Sequence, residues 1–125
     1  MKTVNSSSAP AAIGPYSHAV VHGGLVFTSG QIPVDPSSGA VKGSDIETQT
    51  RAAINNLGFV LKDAGSSFDN VIKTTCFLND INDFAKFNEI YAEYFTSKPA
   101  RSCIEVSALP KGVLVEIEAV AEISE

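Results

Sequence analysis

Two hydrophobic periods run along this chain. From Val113 to Ile123 apolar and polar positions alternate one by one. Val113, Val115, Ile117, Ala119, Ala121 and Ile123 share one face, and Leu114, Glu116, Glu118, Val120 and Glu122 share the other. Arg101 to Ser107 alternates too, with Arg101, Cys103 and Glu105 opposite Ser102, Ile104 and Val106. Leu109-Pro110-Lys111-Gly112 marks a turn between them, so this region reads strand, tight turn, strand. If those two strands pair, Arg101 lies near a carboxylate of the second. Two short strands, His18 to His22 and Leu25 to Ser29, flank Gly23-Gly24, a hairpin signal. Val71 to Leu78, rich in β-branched residues, is a further strand.

The period changes at Ser44. Ile46, Ala53, Ile54, Leu57, Val60, Leu61 and Ala64 recur at helical spacing. Ser44 and Glu47 form a capping-box pattern, and Gly65 stands where a C′ glycine belongs. Gly58 inside this helix costs about 1 kcal/mol relative to alanine. A second helix runs from a cap at Asp80 or Asn82 to about Phe95. Phe84, Phe87, Tyr91 and Phe95 form its stripe, which the spacing assigns to core packing. Residues 1 to 9 read as a polar tail or an edge segment, and Gln31 to Gly43 as mostly loop. The order strand-strand, helix, strand, helix, strand-strand implies an α+β domain. It is one domain over residues 1–125, with both helices on one face of a mixed sheet.

Composition narrows the function. The net charge of −5 and the lack of a Lys/Arg cluster disfavour a general nucleic-acid binder. No apolar run approaches the roughly 20 residues that span a bilayer. The N-terminus resembles neither a signal peptide nor an Arg-rich presequence, which makes the cytoplasm the expected compartment. Cys76 and Cys103 have neither CxxC nor zinc spacing, and His18 and His22 are four apart on a strand rather than a helix. There is no phosphate loop and no GxGxxG after a strand. The expectation is a protein without metal or cofactor.

Four stretches carry a resemblance: GPYSHA (14–19), TSGQIPVDPSSG (28–39), VIKTTCFLNDINDFAKFN (71–88) and PARSCIEVSALPKGVLVEIE (99–118). Their sequence and order resemble those of the RidA (YjgF) family of reactive-intermediate deaminases, over most of the chain. The resemblance implies a chorismate-mutase-like fold and a homotrimer with pockets between subunits. It implies hydrolysis of 2-aminoacrylate, 2-iminopropanoate and 2-iminobutanoate to 2-oxo acids and ammonia. An endoribonuclease or translation inhibitor, and a non-enzymatic binder or chaperone for small acids, are the alternatives.

Arg101 is the first candidate from chemistry, because a guanidinium matches a carboxylate bidentately. The resemblance gives it the substrate carboxylate. Strand parity does not choose among Glu116, Glu118 and Glu122 as acid/base; the motif match chooses Glu116. The mid-strand Cys103 thiol has no neighbouring activator in the sequence; the resemblance implies that Cys103 acts through its backbone carbonyl instead. Tyr16, Ser29, Gly30 and Asn88 match pocket residues, with Tyr16 coming from the adjacent subunit. The connection YFTSKPARS (94–102) is shorter than in some bacterial members, which bears on the pocket rim.

Overall fold

A computed structural model describes residues 1–124. Six strands form one sheet: β1 (Lys2–Val4), β2 (Ala19–His22), β3 (Leu25–Thr28), β4 (Val71–Leu78), β5 (Ala100–Glu105) and β6 (Val115–Glu122). Their spatial order is β1-β2-β3-β6-β4-β5. Two helices, α1 (Ile46–Asp63) and α2 (Phe84–Tyr94), connect them. Every neighbouring pair is antiparallel except β4–β5, whose parallel pairing needs the crossover that α2 supplies.

This order corrects the expectation of paired strands at the C-terminal end. β5 and β6 do not pair, because β4 lies between them. Their burial explains the arrangement. In β6 every second residue from Val115 to Ala121 is buried, so it takes a central place. In β5 no residue is fully buried, and it takes the edge.

Both helices cover the same face. Leu57 and Leu61 of α1 and Phe87 and Tyr91 of α2 pack on Cys76, Leu78, Val115 and Ile117. The other face carries no helix. Phe27 and Ile104 stand 45% and 47% exposed on it, beside partly buried Phe77, Glu116, Glu118 and Val120.

The start of α1 differs by one residue from the capping-box pattern. Asp45, not Ser44, is the N-cap: its carboxylate accepts from the Thr48 N–H at 2.9 Å and the Thr48 hydroxyl at 3.0 Å. A full negative charge at the helix N-terminus outcompetes a hydroxyl. Glu47 reaches instead for Arg51, 3.4 Å away. The C-terminus follows the sequence. The Gly65 N–H bonds to the Lys62 carbonyl and the Ser66 N–H to the Leu61 carbonyl, a Schellman pair around a glycine with φ of 87°. Gly58 has a spatial reason: a Cβ there would lie 2.8 Å from the Phe68 ring. Asp80 caps a 3₁₀ turn at Ile81–Asp83 by accepting from the Asn82 N–H, and α2 starts only after it. Among the described residues no helix is long and apolar enough to cross a membrane.

Candidate functional site

The residues singled out from the sequence fall into two clusters on opposite faces of the sheet. The first forms where the chain leaves β3. Phe27 faces Val120 and Gln31 faces Ile117, four steps on one side against three on the other. The extra residue makes a bulge at Ser29–Gly30. The pairing then resumes, with Gln31 and Ile117 exchanging backbone bonds of 2.8 and 3.0 Å.

Gly30 is required for space rather than for its φ. A Cβ there would stand 1.9 Å from Glu116 Oε2. The absent side chain lets the Glu116 carboxylate lie against the bulge. Burial, and secondly the charge of Glu118, holds the Glu116 carboxyl above its ordinary pKa. The Ser29 hydroxyl donates to the Ser17 carbonyl at 2.6 Å, and the Ser29 N–H donates to the His18 carbonyl at 2.8 Å. Tyr16 stands about half exposed, its hydroxyl accepting weakly from the Ile13 N–H at 3.4 Å. Tyr16, Ser29, Gly30 and Glu116 line one open cleft of about 570 Å³, with Pro10, Ile13, Ile32 and Val34 as apolar wall.

Further polar residues of this cleft, His18 and Lys111 among them, were not assigned to the site from the sequence. His18 is buried; its Nδ1 accepts from the Ser6 N–H at 2.9 Å and its Nε2 meets the Pro10 carbonyl at 2.7 Å. Those two partners fix its tautomer and strap the N-terminal segment to the sheet. Lys111 takes a left-handed φ of 57°, and its ammonium donates to the Gly39 carbonyl at 2.9 Å.

The second cluster is built on β5. Thr74 stands opposite Arg101 and Cys76 opposite Cys103, and both β4 residues are buried on the helix side. Arg101 and Cys103 therefore face the helices, whereas Glu116, paired with Phe77, faces away from them. Arg101 Nη1 donates to Asn88 Oδ1 at 2.7 Å. Its guanidinium carbon lies 4.8 Å from the Tyr91 ring centroid and 5.4 Å from that of Phe84. Among the described residues Arg101 makes no ion pair. Burial raises the Cys103 thiol pKa, against the pull of Arg101. Burial likewise raises the Cys76 thiol to about 12. Neither is an activated thiolate.

Within one chain, then, Tyr16, Ser29, Gly30 and Glu116 come together, and so do Asn88, Arg101 and Cys103. The two groups do not meet: the cleft has no lining residue from the Arg101 cluster. What the arrangement offers is a carboxylate of raised pKa at a cleft, and a half-buried cation at a sheet edge that has no counter-ion among the described residues. No group of three or more metal-ligating side chains occurs among the described residues.

The family described as endoribonuclease L-PSP matches residues 6–123. The chain is 50% identical over 121 residues to a human protein named 2-iminobutanoate/2-iminopropanoate deaminase, covering 96% of this chain and 88% of that protein. It is 51% identical over 124 residues to a Lactococcus lactis protein named as a regulator, AldR, covering 98% of each. The structure of E. coli TdcF with bound serine superimposes with a TM-score of 0.93 at 44% identity, covering 99% of this chain and 100% of that one.

Proposed function

The chain belongs to the endoribonuclease L-PSP family, the family also called RidA, YjgF or RutC, and from that premise we propose that it is a cytoplasmic, cofactor-free deaminase of small 2-imino acids. The observation that carries this reading is the Gly30–Glu116 contact. It keeps a carboxylate of raised pKa in a cleft, which suits a group that takes a proton from water near neutral pH.

In this reading the substrate carboxylate binds Arg101 bidentately, with Asn88 holding the guanidinium from behind. Glu116 and the backbone carbonyl of Cys103 orient a water. That water adds to the C=N carbon of 2-iminobutanoate or 2-iminopropanoate while the imine nitrogen takes a proton. The tetrahedral adduct then expels ammonia and leaves the 2-oxo acid. Tyr16, Ser29 and Gly30 form the wall that holds the substrate chain. TdcF, which holds serine in its structure, takes a small 2-amino acid of matching shape and charge.

Arg101 and Glu116 lie on opposite faces of one chain, so the reaction needs two chains. The helix-free sheet face, with Phe27 and Ile104 exposed, supplies the surface for a homotrimer whose pockets each take Arg101 from one subunit and Glu116 from the next. A ribonuclease has less support. The imidazole at the cleft, His18, is tied to Ser6 and Pro10 and is not free to shuttle protons.

Mixed oligomers test both the chemistry and the assembly. Arg101→Ala and Glu116→Gln should each be inactive alone on 2-iminobutanoate generated from threonine. Reassembled together in equal amounts, they should regain about a quarter of wild-type turnover, because that fraction of pockets receives both intact residues. Mixtures as inactive as the single variants would sink the shared-pocket reading, and wild type without turnover would sink the deaminase.

A further inference from the structure

Arg101 is held by more than Asn88. Phe84, Phe87 and Tyr91 surround its guanidinium at 5.4, 6.0 and 4.8 Å from their ring centroids. Tyr91 is the nearest and differs from the others in kind. Its hydroxyl shares a 2.8 Å hydrogen bond with Thr74 Oγ1, a fully buried side chain. Thr74 stands directly opposite Arg101 in the β4–β5 register. Behind the ring, Phe95 stacks on Tyr91 at 4.3 Å with an interplanar angle of 21°. The ring is thus keyed at one end by the strand beside Arg101 and backed on one side by Phe95.

We propose that Tyr91, keyed by Thr74, is a positioning residue that fixes the plane of the Arg101 guanidinium for an incoming carboxylate. The inference rests on the assignment of Arg101 to the substrate carboxylate. A guanidinium has a flat fork, and a bidentate partner must approach in its plane. Asn88 occupies one Nη atom and leaves the plane free to rotate about that bond. A ring against the guanidinium face removes this rotation, and cation–π attraction holds it there. A hydroxyl on that ring has no role in packing, yet here it anchors the ring to the strand next to Arg101. The stripe that helical spacing assigns to core is therefore also the floor under the charge.

Three variants separate ring from key: Tyr91→Leu, Tyr91→Phe and Thr74→Val. The first readout needs no ligand. Nitrogen-15 relaxation at Arg101 Nε in the free protein should show an order parameter near 0.8 in wild type and below about 0.6 in Tyr91→Leu. The second readout is calorimetry with 2-oxobutanoate. Tyr91→Leu should weaken binding about 3- to 30-fold, the range that a cation–π contact spans. Tyr91→Phe and Thr74→Val should each weaken it about threefold or less. The double variant should be no weaker than either, since both remove one hydrogen bond. In turnover the loss should appear in KM with kcat retained, as for lost uniform binding. Unchanged Arg101 order in a folded Tyr91→Leu protein overturns the proposal. So does reduced order with 2-oxobutanoate bound as tightly as before. Wild type that binds no oxo acid would instead sink the assignment of Arg101, and the Nε order would still decide whether Tyr91 fixes the guanidinium.

Discussion

Adding one methyl group at Gly30 should silence the site without unfolding the protein. The φ of Gly30 is outside the left-handed range, so alanine fits the backbone. Gly→Ala at a compatible position stabilises by about 0.4–1 kcal/mol through the unfolded chain. Forcing Glu116 off its rotamer costs about 0.5–1.5 kcal/mol. These nearly cancel, and the melting temperature should stay close to wild type. The carboxylate has no such compensation. The new Cβ would stand 1.9 Å from Oε2 and 2.8 Å from Cδ, so Oε2 must retreat by about 1.5 Å to reach ordinary contact at 3.4 Å. Misplacing a reacting group by about 1 Å costs about 10²-fold, and a positioned general base contributes about 10²–10⁴-fold in all. Gly30→Ala should therefore lose about 10²-fold in turnover, or about 2.7 kcal/mol of transition-state stabilisation. The assay is ammonia release from 2-iminobutanoate formed in place by a threonine dehydratase, with a thermal melt of the same sample. Turnover within threefold of wild type would refute the reasoning, because Glu116 would then act from a position other than the bulge.

Three other outcomes follow from the same structure. In the proposed mechanism ionised Glu116 is the base, so kcat should fall as pH drops through its raised pKa. Glu118→Gln removes the second cause of that rise and should move this acid limb to lower pH; a limb that stays put excludes Glu116 as the titrating group. Stability has the opposite sign. A carboxyl with a raised folded-state pKa favours the protonated fold, so its contribution declines as pH climbs from 4.5 toward that value. Gly58→Ala gains about 1 kcal/mol of helix propensity but places a Cβ 2.8 Å from Phe68, where overpacking costs about 1–3 kcal/mol. Calorimetry should show a lower melting temperature, and a rise would mean that Phe68 yields.

Much of this fold was legible because its signals are local. The Gly23-Gly24 hairpin, the Gly65 terminus of α1 and the alternation of β6 each arise from neighbours in sequence. Strand pairing is not local. The tight turn after β5 suggested a hairpin, yet the edge of β6 that faces β5 is taken by β4. The choice among three carboxylates is of the same kind. Glu116, Glu118 and Glu122 share one parity, and what sets Glu116 apart is its burial against Gly30, far away along the chain. Ser44 and Asp45 both carry capping oxygens, and the charge of Asp45, which accepts from both the Thr48 N–H and the Thr48 hydroxyl, decides between them. Tyr91 is the instructive case. Its place in an aromatic stripe correctly gave burial, but helical spacing says nothing of what lies above the ring.

The separation of Arg101 from Glu116 has a physical consequence for the proposed enzyme. Among the described residues of one chain Arg101 has no carboxylate partner, and Glu116 has the like charge of Glu118 beside it. Each half-site is thus electrostatically incomplete, and each is partly desolvated, where an opposite charge counts most. Joining two chains through these unlike halves makes a heterologous contact, which leaves one half-site unused at each end. Only a closed ring uses them all. In the proposed enzyme such closure would also bring Glu116 and Arg101 into one cleft, so that assembly and catalytic competence would arise from the same contact. Rigidity within each half then matters more than usual, since neither half can adjust the other through its own chain. Gly30 sets Glu116 against a fixed bulge, and Tyr91 with Asn88 sets Arg101 against a fixed ring. A loose residue on either side would miss a partner delivered by another molecule; Gly30 is held between the end of β3 and the Gln31–Ile117 pairing, and Tyr91 and Asn88 stand on α2.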